Sequence, residues 1–420
     1  MKFDYHVVIL GGGLAYVGAE VLKNRGLKVA LIEKNREHLG GVCLHEGCIP
    51  TKLYMFEAQK IYDIRLSRLA SLNVQKVNLK TLLEYKRGLI KKLREDIERL
   101  LKGVDIFYGE GKLIEPHVVE VNGKKISGES VIINVGKRHP SETDGEYTLN
   151  TDQLLELEEI PEEISILGDD PIGFEFATML STLGTRTEVY FDEPFSFMHP
   201  SIKTRLMEKM DTIGIKLFST HRLKSKKEGK MLVVKKRIPN WESVGDLIPR
   251  GEENHLIVDR NYETALKDHY AVGDINGISE TAHAARLQAI SVSKKITEGR
   301  GFYIKPEKIP YILYTIPLSY AKVGFSKADL EKKGIKYTEK SVNFRAFAIS
   351  HIQHSEEGIC FLYFDQKGFL LGAEVLSRNA ADIISSLTVS LHAELDISIM
   401  SKIPLAHPTM SEVPFIRLMT

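Results

Sequence analysis

Two strand–glycine turn–helix units, one at the start of the chain and one near residue 164, predict an α/β protein built on two Rossmann-like dinucleotide-binding units. Length is the third observation. At 420 residues the chain exceeds what one ordinary core organises, so two or three domains are expected. A net charge of +1, with 27% charged residues, argues against a broad nucleic-acid or membrane-binding surface. No apolar stretch is long enough to span a bilayer. The apolar run Tyr5 to Leu10 has no cleavage site and runs straight into glycines, so it reads as a strand, and the cytoplasm is the expected compartment. Three cysteines in a reducing compartment fit a working pair plus one spare. The spare is Cys360, whose alternating neighbours Gly358 to Leu362 read as a core strand.

The first unit runs from the strand Tyr5–Leu10 through Gly11-Gly12-Gly13-Leu14-Ala15 into an amphipathic helix carrying Val21 and Leu22. A second strand, Lys28 to Ile32, ends at Glu33. Glycines there let backbone N–H groups approach a pyrophosphate at the helix N-terminus, and Glu33 can accept from a ribose hydroxyl. The turn is one residue shorter than the usual fingerprint, and Ala15 stands at its third, packing position. An ordinary tight turn followed by a surface glutamate has the same local pattern.

Next comes Gly40-Gly41-Val42-Cys43-Leu44-His45-Glu46-Gly47-Cys48-Ile49-Pro50-Thr51-Lys52. Pro50 suits the first turn of a helix, which puts Cys48 at a helix N-terminus where the dipole favours a thiolate. Gly47 lets the chain turn so that the two sulfurs can meet. Spacing alone fits a redox-active disulfide, a metal-binding pair or two buried core cysteines. From Asn78 to Leu101, Leu82, Leu89, Leu93, Ile97 and Leu100 recur at helical spacing and predict a long scaffold helix. Strand-rich sequence follows, ending at Gly136.

The second unit, Ile164 to Ala177, keeps Gly168 and Gly173 at the outer fingerprint positions but carries Asp169 and Asp170 at its centre. Carboxylates beside a pyrophosphate seat repel a dianion. Asp170 and Pro171 also read as N-cap and first helical residue, so that the helix caps itself. At the end of the next strand Phe191 occupies the acidic position, and Asp192 substitutes only if the register slips.

The Gly40–Lys52 string resembles the disulfide motif of the flavoprotein pyridine nucleotide-disulfide oxidoreductases of class I, in the form most like dihydrolipoamide dehydrogenase. That resemblance extends over the chain. It implies an FAD-binding domain of residues 1–150 and 263–302, a shortened and divergent NAD-type domain of residues 151–262, and an α+β dimerisation domain of residues 303–420. It implies an FAD site including Gly11, Gly13, Ala15, Glu33, Gly41, Lys52, Gly136, Glu175, Gly273, Asp274 and Ala282, with Asp274 on the ribityl chain and Lys52 ion-paired with Glu175 beside flavin N5. Cys43 is implied as the thiol that exchanges with substrate and Cys48 as the charge-transfer thiolate. His407-Pro408-Thr409-Met410-Ser411-Glu412 matches the tail signature, in which His407 moves the proton and Glu412 holds it, serving the partner subunit's disulfide in a homodimer. NAD would be held by Gly168 and Gly173. Against it stand Asp169, Asp170, Phe191, Lys236 in place of a glycine, and a Gly214–Met231 stretch too short for the family's strand pair. The expected activity passes electrons from a small dithiol or lipoyl domain through Cys43–Cys48 and FAD to NAD. The alternative is a flavin–disulfide oxidoreductase that has abandoned NAD(P) for another carrier or a protein partner. A non-catalytic subunit keeping FAD is opposed by the intact cysteines and His–Glu pair. No metal is expected.

Overall fold

A computed structural model describes residues 2–69, 77–140, 147–168, 170–225, 230–416 and 418; Asp169 lies outside the described residues. The first sheet is built around β1 (Tyr5–Leu10), whose Val7, Val8 and Ile9 are wholly buried. Helix α1 (Tyr16–Asn24) leads from it to β2 (Val29–Glu33). Then come β3 (Asp105–Tyr108), β4 (Gly111–Glu115), β5 (Val118–Val121) and β6 (Lys124–Ile133), in the order β3-β2-β1-β6-β5-β4. Strands β1, β2, β3 and β6 run parallel, which buries both faces and explains the unbroken apolar runs.

Between β2 and β3 the chain forms α2 (Gly41–His45), α3 (Cys48–Leu66) and α4 (Leu79–Leu100). Asn78 caps α4, its side chain accepting from Thr81 N at 3.2 Å. The helix falls where its periodicity predicts, but its buried face is rotated. Leu79, Leu83, Lys86, Arg94 and Ile97 are buried, whereas Leu100 is 44% exposed. Polar side chains on the inner face account for this, because Lys86 buries its ammonium on the Leu155 carbonyl (2.8 Å) and on Glu156.

The second sheet follows β7 (Lys137–Arg138). It contains β8 (Thr148–Leu149), β9 (Glu163–Gly168), β10 (Arg186–Tyr190), β11 (Lys216–Phe218) and β12 (Met231–Val234), all parallel in the order β11-β10-β9-β12-β8. Helix α5 (Thr151–Leu154) follows β8, α6 (Ile172–Leu183) joins β9 to β10, and α7 (Pro200–Thr212) joins β10 to β11. Between Gly214 and Met231 the described residues form only β11 and a 3₁₀ turn, Thr220–Ser225. Strand β13 (Ile238–Pro239) pairs with β7, and β14 (His269–Ala271) returns the chain to β6 ahead of α8 (Ala282–Glu298).

An antiparallel sheet closes the fold: β15 (Tyr311–Leu313), β16 (Ser319–Gly324), β17 (Thr338–Asn343), β18 (Ile359–Phe364) and β19 (Leu370–Ser377), ordered β15-β16-β19-β18-β17. Helix Ala380–His392 packs across it. Cys360 lies fully buried on β18, as its alternation predicts. Glu374 on β19 is fully buried with four donors: the phenols of Tyr320 (3.0 Å) and Tyr363 (2.6 Å), Lys327 N (3.1 Å), and His199 N (2.8 Å) at the start of α7.

Candidate active site

Both cysteines of the Gly40–Lys52 string sit at a helix junction. Gly40 and Gly41 take positive φ (104° and 68°) to start α2, which carries Cys43; the chain turns at Gly47, and Cys48 opens α3 without a side-chain cap. Pro50 lies in that first turn, as its fixed φ requires. Both cysteines are free thiols, Cys43 half-buried and Cys48 exposed. The two thiols act on one another across the α2–α3 junction. Their interaction pushes the Cys43 thiol above the ordinary range and pulls the Cys48 thiol, at the α3 N-terminus, below it.

One turn along α3, the Lys52 ammonium is buried, has no hydrogen-bond partner and lies over the Tyr314 ring. Burial depresses it to about 8, against the opposing pull of Glu175. Glu175, on α6, is pushed up by burial and accepts from Tyr314 N at 2.8 Å. The expected direct ion pair is therefore corrected. Tyr314 stands between the two charges, its ring taking the ammonium and its N–H the carboxylate.

The first unit forms a cradle beside the cysteines. A Cβ on Gly41 would lie 2.8 Å from the Gly13 Cα, and one on Gly11 (φ +103°) would lie 2.4 Å from the Asn134 carbonyl oxygen. Ala15 is the N-cap of α1, which has no side-chain cap and no acidic residue in its first turn. Glu33 is nearly buried and accepts from Gly12 N (2.7 Å) and Asn35 N (3.2 Å). Gly136 takes a φ of +64° where β6 leads toward β7. Gly273 (φ +76°) donates its N–H to Gln288 (2.8 Å), and the adjacent Asp274 carboxyl is pushed up to about 6 by burial. Ala282 starts α8 without a side-chain cap. Sequence reading missed three residues here: Tyr314; Gln288, which also accepts from Asn276 Nδ2 at 2.9 Å; and Asn134, whose amide bridges Ala15 N (3.3 Å) and Val272 O (3.2 Å). A signal existed for two of them, a glutamine on the buried side of α8 and an asparagine interrupting Val131-Ile132-Ile133.

His407 lies in the C-terminal region. Its Nδ1 is 2.9 Å from the buried Glu412 carboxylate, which also accepts from Thr409 N at 2.9 Å, while the His407 side chain is 78% exposed. The ring is oriented from behind and its free edge faces outward.

Residues 5–289 match the pyridine nucleotide-disulphide oxidoreductase family, and residues 309–415 match that family's dimerisation domain. The chain belongs to the pyridine nucleotide-disulphide oxidoreductases. It is 26% identical over 447 residues to dihydrolipoyl dehydrogenase of Mycoplasma pneumoniae, covering 98% of this chain and 97% of that one. It is 29% identical over 458 residues to dihydrolipoamide dehydrogenase of Chaetomium thermophilum, covering 97% and 89%. Its fold is that of LpdA from Mycobacterium tuberculosis (TM-score 0.88, 20% identity, 98% of each chain) and of the HOCl-induced flavoprotein disulfide reductase RclA from Escherichia coli (TM-score 0.84, 23% identity, 97% and 98%). It is thus a dihydrolipoyl dehydrogenase-like oxidoreductase acting on sulfur groups.

Pyridine nucleotide-disulphide oxidoreductases use FAD and NAD(P), and this member treats the two seats differently. The first unit fits FAD: close backbone approach at Gly11, Gly13 and Gly41, a bare helix start, Glu33 at the ribose position and an orphaned buried ammonium at Lys52. The second unit does not fit a nicotinamide nucleotide in the usual seat. Asp170 Oδ1 accepts from Ile172 N at 2.9 Å, so a carboxylate covers the start of α6, which begins at Ile172, one residue past the expected Pro171. Leu10 pairs with Ile32 and Leu167 with Tyr190, so Phe191 holds the register position of Glu33 and no slip brings Asp192 there. Phe191 packs on Phe174 at 5.2 Å between ring centroids. Asp192 instead binds Ser219 (3.0 Å) and Thr220 N (3.1 Å). Gly173 is a packing position, its nearest neighbour 3.5 Å from where a Cβ would stand, and Gly168 lies against Val234. Among the described residues no helix is long and apolar enough to cross a membrane.

Proposed function

We propose that the chain is an FAD-dependent thiol–disulfide oxidoreductase that oxidises a dithiol, lipoyl or small-molecule, at Cys43–Cys48. The carrying observation is the placement of Cys43 on α2 and Cys48 at the uncapped start of α3, where the helix end favours a Cys48 thiolate. A substrate thiolate attacks Cys43 Sγ in the oxidised enzyme, and Cys48 leaves as a thiolate held by the helix dipole. His407 of the other copy in a homodimer takes the proton of the second substrate thiol, whose sulfur breaks the mixed disulfide. The proton passes to Cys43 as the cyclic disulfide departs. Glu412 holds the ring and stabilises the imidazolium. The outward ring of His407 on a buried carboxylate supports service to a neighbouring copy. Gly11, Gly13, Gly41, Glu33 and Asp274 would hold FAD, with Lys52 and Glu175 beside its ring. When bound, the flavin supplies a two-electron sink for the Cys48 thiolate.

The lead expectation sends those electrons on to NAD, as in the relatives named dihydrolipoyl dehydrogenase. A second reading, transfer to a carrier other than a nicotinamide, is favoured by the Asp170 cap and by Phe191 in the register of Glu33. One experiment addresses both: the flavin spectrum after anaerobic mixing with dihydrolipoamide and, separately, with NADH. Bleaching by the dithiol supports the thiol chemistry, and failure with any dithiol overturns it. Bleaching by NADH supports the lead reading of the acceptor; bleaching by dithiol alone supports the second.

A further inference from the structure

Three parts of the chain converge on the Lys52 ammonium. Lys52 stands on α3 four residues after Cys48, and side chains at that spacing share a helix face and lean back toward the N-terminus. Glu175 comes from α6, which packs against α3. Tyr314 follows β15 of the closing sheet. Its ring centroid lies 2.6 Å from Lys52 Nζ, and its N–H donates to Glu175 Oε1 at 2.8 Å. Among the described residues the ammonium makes no hydrogen bond or ion pair, so the ring face is its seat. Among those residues the Tyr314 hydroxyl makes no hydrogen bond either, which leaves the ring to act alone. Cys43 pulls the Cys48 thiol down, while Asp274 and Glu175 act against its ionisation. Lys52 brings the opposite charge to this group. Burial opposes that charge, and Glu175 and Cys48 favour it.

We infer that Tyr314 is a positioning residue for the dithiol reaction: its ring seats the Lys52 ammonium one turn from Cys48 and keeps it off Glu175, so that the cation serves the negative charge developing on the Cys48 sulfur. The inference rests on the reading of Cys48 as the leaving thiolate. An aromatic face suits the seat because it attracts a cation without adding a charge of its own. A direct Lys52–Glu175 pair would neutralise the ammonium. By taking the carboxylate on its N–H and the ammonium on its ring, one residue holds the two charges apart.

The test uses the full-length protein, chemically reduced, and follows iodoacetamide labelling of Cys48 across pH by peptide mapping. In Tyr314→Leu the labelling rate at neutral pH is expected to fall about threefold and the pH profile to move upward, as for a unit charge withdrawn by a few ångströms in partly solvated surroundings. Tyr314→Phe keeps the ring and is expected to keep both rate and profile. Lys52→Gln alone is expected to slow Cys48 at least as much as Tyr314→Leu, a reading that stands even where Tyr314→Leu does not fold. In the Lys52→Gln background the Phe and Leu variants are expected to label alike. An unchanged profile in Lys52→Gln or in folded Tyr314→Leu overturns the inference. So does an equal loss in Tyr314→Phe, or a Phe–Leu difference that persists without Lys52. Flavin that no dithiol reduces sinks the functional reading alone, because Cys48 labelling still reports on the Tyr314 seat.

Discussion

The two strand–turn–helix units share a frame and differ at its ends. In each, the first strand and the strand after the helix run parallel in the same register, with a glycine opposite the diagnostic position. That position holds Glu33 in the first unit and Phe191 in the second. The helix start is bare at Ala15 and covered by the Asp170 carboxylate at Ile172. Backbone architecture is set by apolar strands and a tight turn, which tolerate both outcomes. Nucleotide affinity is set by a few polar atoms at one edge, which do not. A fold can therefore persist while the ligand it once framed changes or disappears.

The largest effect should come from the backbone approaches. Gly11→Ala forces a Cβ to 2.4 Å from a backbone oxygen at positive φ, so flavin absorbance per purified chain should fall nearly to zero. Gly173→Ala meets ordinary contacts from 3.5 Å outward and should shift the Tm by no more than about 2 °C. Equal tolerance of both substitutions would break the comparison. Next, Glu33→Ala leaves the Gly12 N–H without its partner, a loss of about 1–3 kcal/mol that titration of apoprotein with FAD would read as a roughly tenfold or larger weakening. Asp192→Ala should leave FAD affinity unchanged.

A gain-of-function variant sharpens the contrast. Asp170→Gly with Phe191→Glu removes the carboxylate from the α6 start and restores an acid at the ribose register. The rate of flavin reduction by NADH in stopped flow should rise by about tenfold, on the order of one recovered charge-assisted hydrogen bond. Fast reduction in the unaltered chain, with no gain in the variant, would show that Asp170 and Phe191 are harmless to NADH.

The smallest effect is in pH. The Cys48 thiol lies below its ordinary range, so the unfolded chain binds more protons between the depressed value and about 8.5. Stability of the reduced protein from this group is full above the unfolded value and is lost as pH falls through the folded one. Iodoacetamide should accordingly still label Cys48 quickly at pH values where Cys43, shifted upward, no longer reacts. Parallel pH profiles for both sulfurs would contradict the opposite shifts of the two thiols.

Much of this was legible in the chain because it is written locally. The β1 strand, the α4 span and the placement of Cys48 at a helix start follow from apolar periodicity, Asn78 and Pro50. The self-capping by Asp170 and the seat of Phe191 followed from short-range patterns as well. Less legible were features set by residues far apart in sequence. The inner face of α4 turned on Lys86 finding the Leu155 carbonyl, and the Lys52–Glu175 relation turned on Tyr314. No periodicity encodes those meetings, because their partners arrive from other elements.

The buried carboxylate of Glu374 has a consequence for how such a chain can diverge. It grips the start of α7, in the second strand–turn–helix unit, while Tyr320 and Tyr363 reach it from the closing sheet and Lys327 N from the start of the helix Lys327–Lys333. Thr178 on α6 likewise receives Ile316 N at 3.2 Å. A lineage could relax selection on the nucleotide edge at little cost to folding, yet excising the whole unit would remove one of four donors from a buried carboxylate and strip the sheet of its cover. Use of a ligand and dispensability of a domain are thereby uncoupled: the unit holds the closing sheet whether or not its nucleotide edge is occupied.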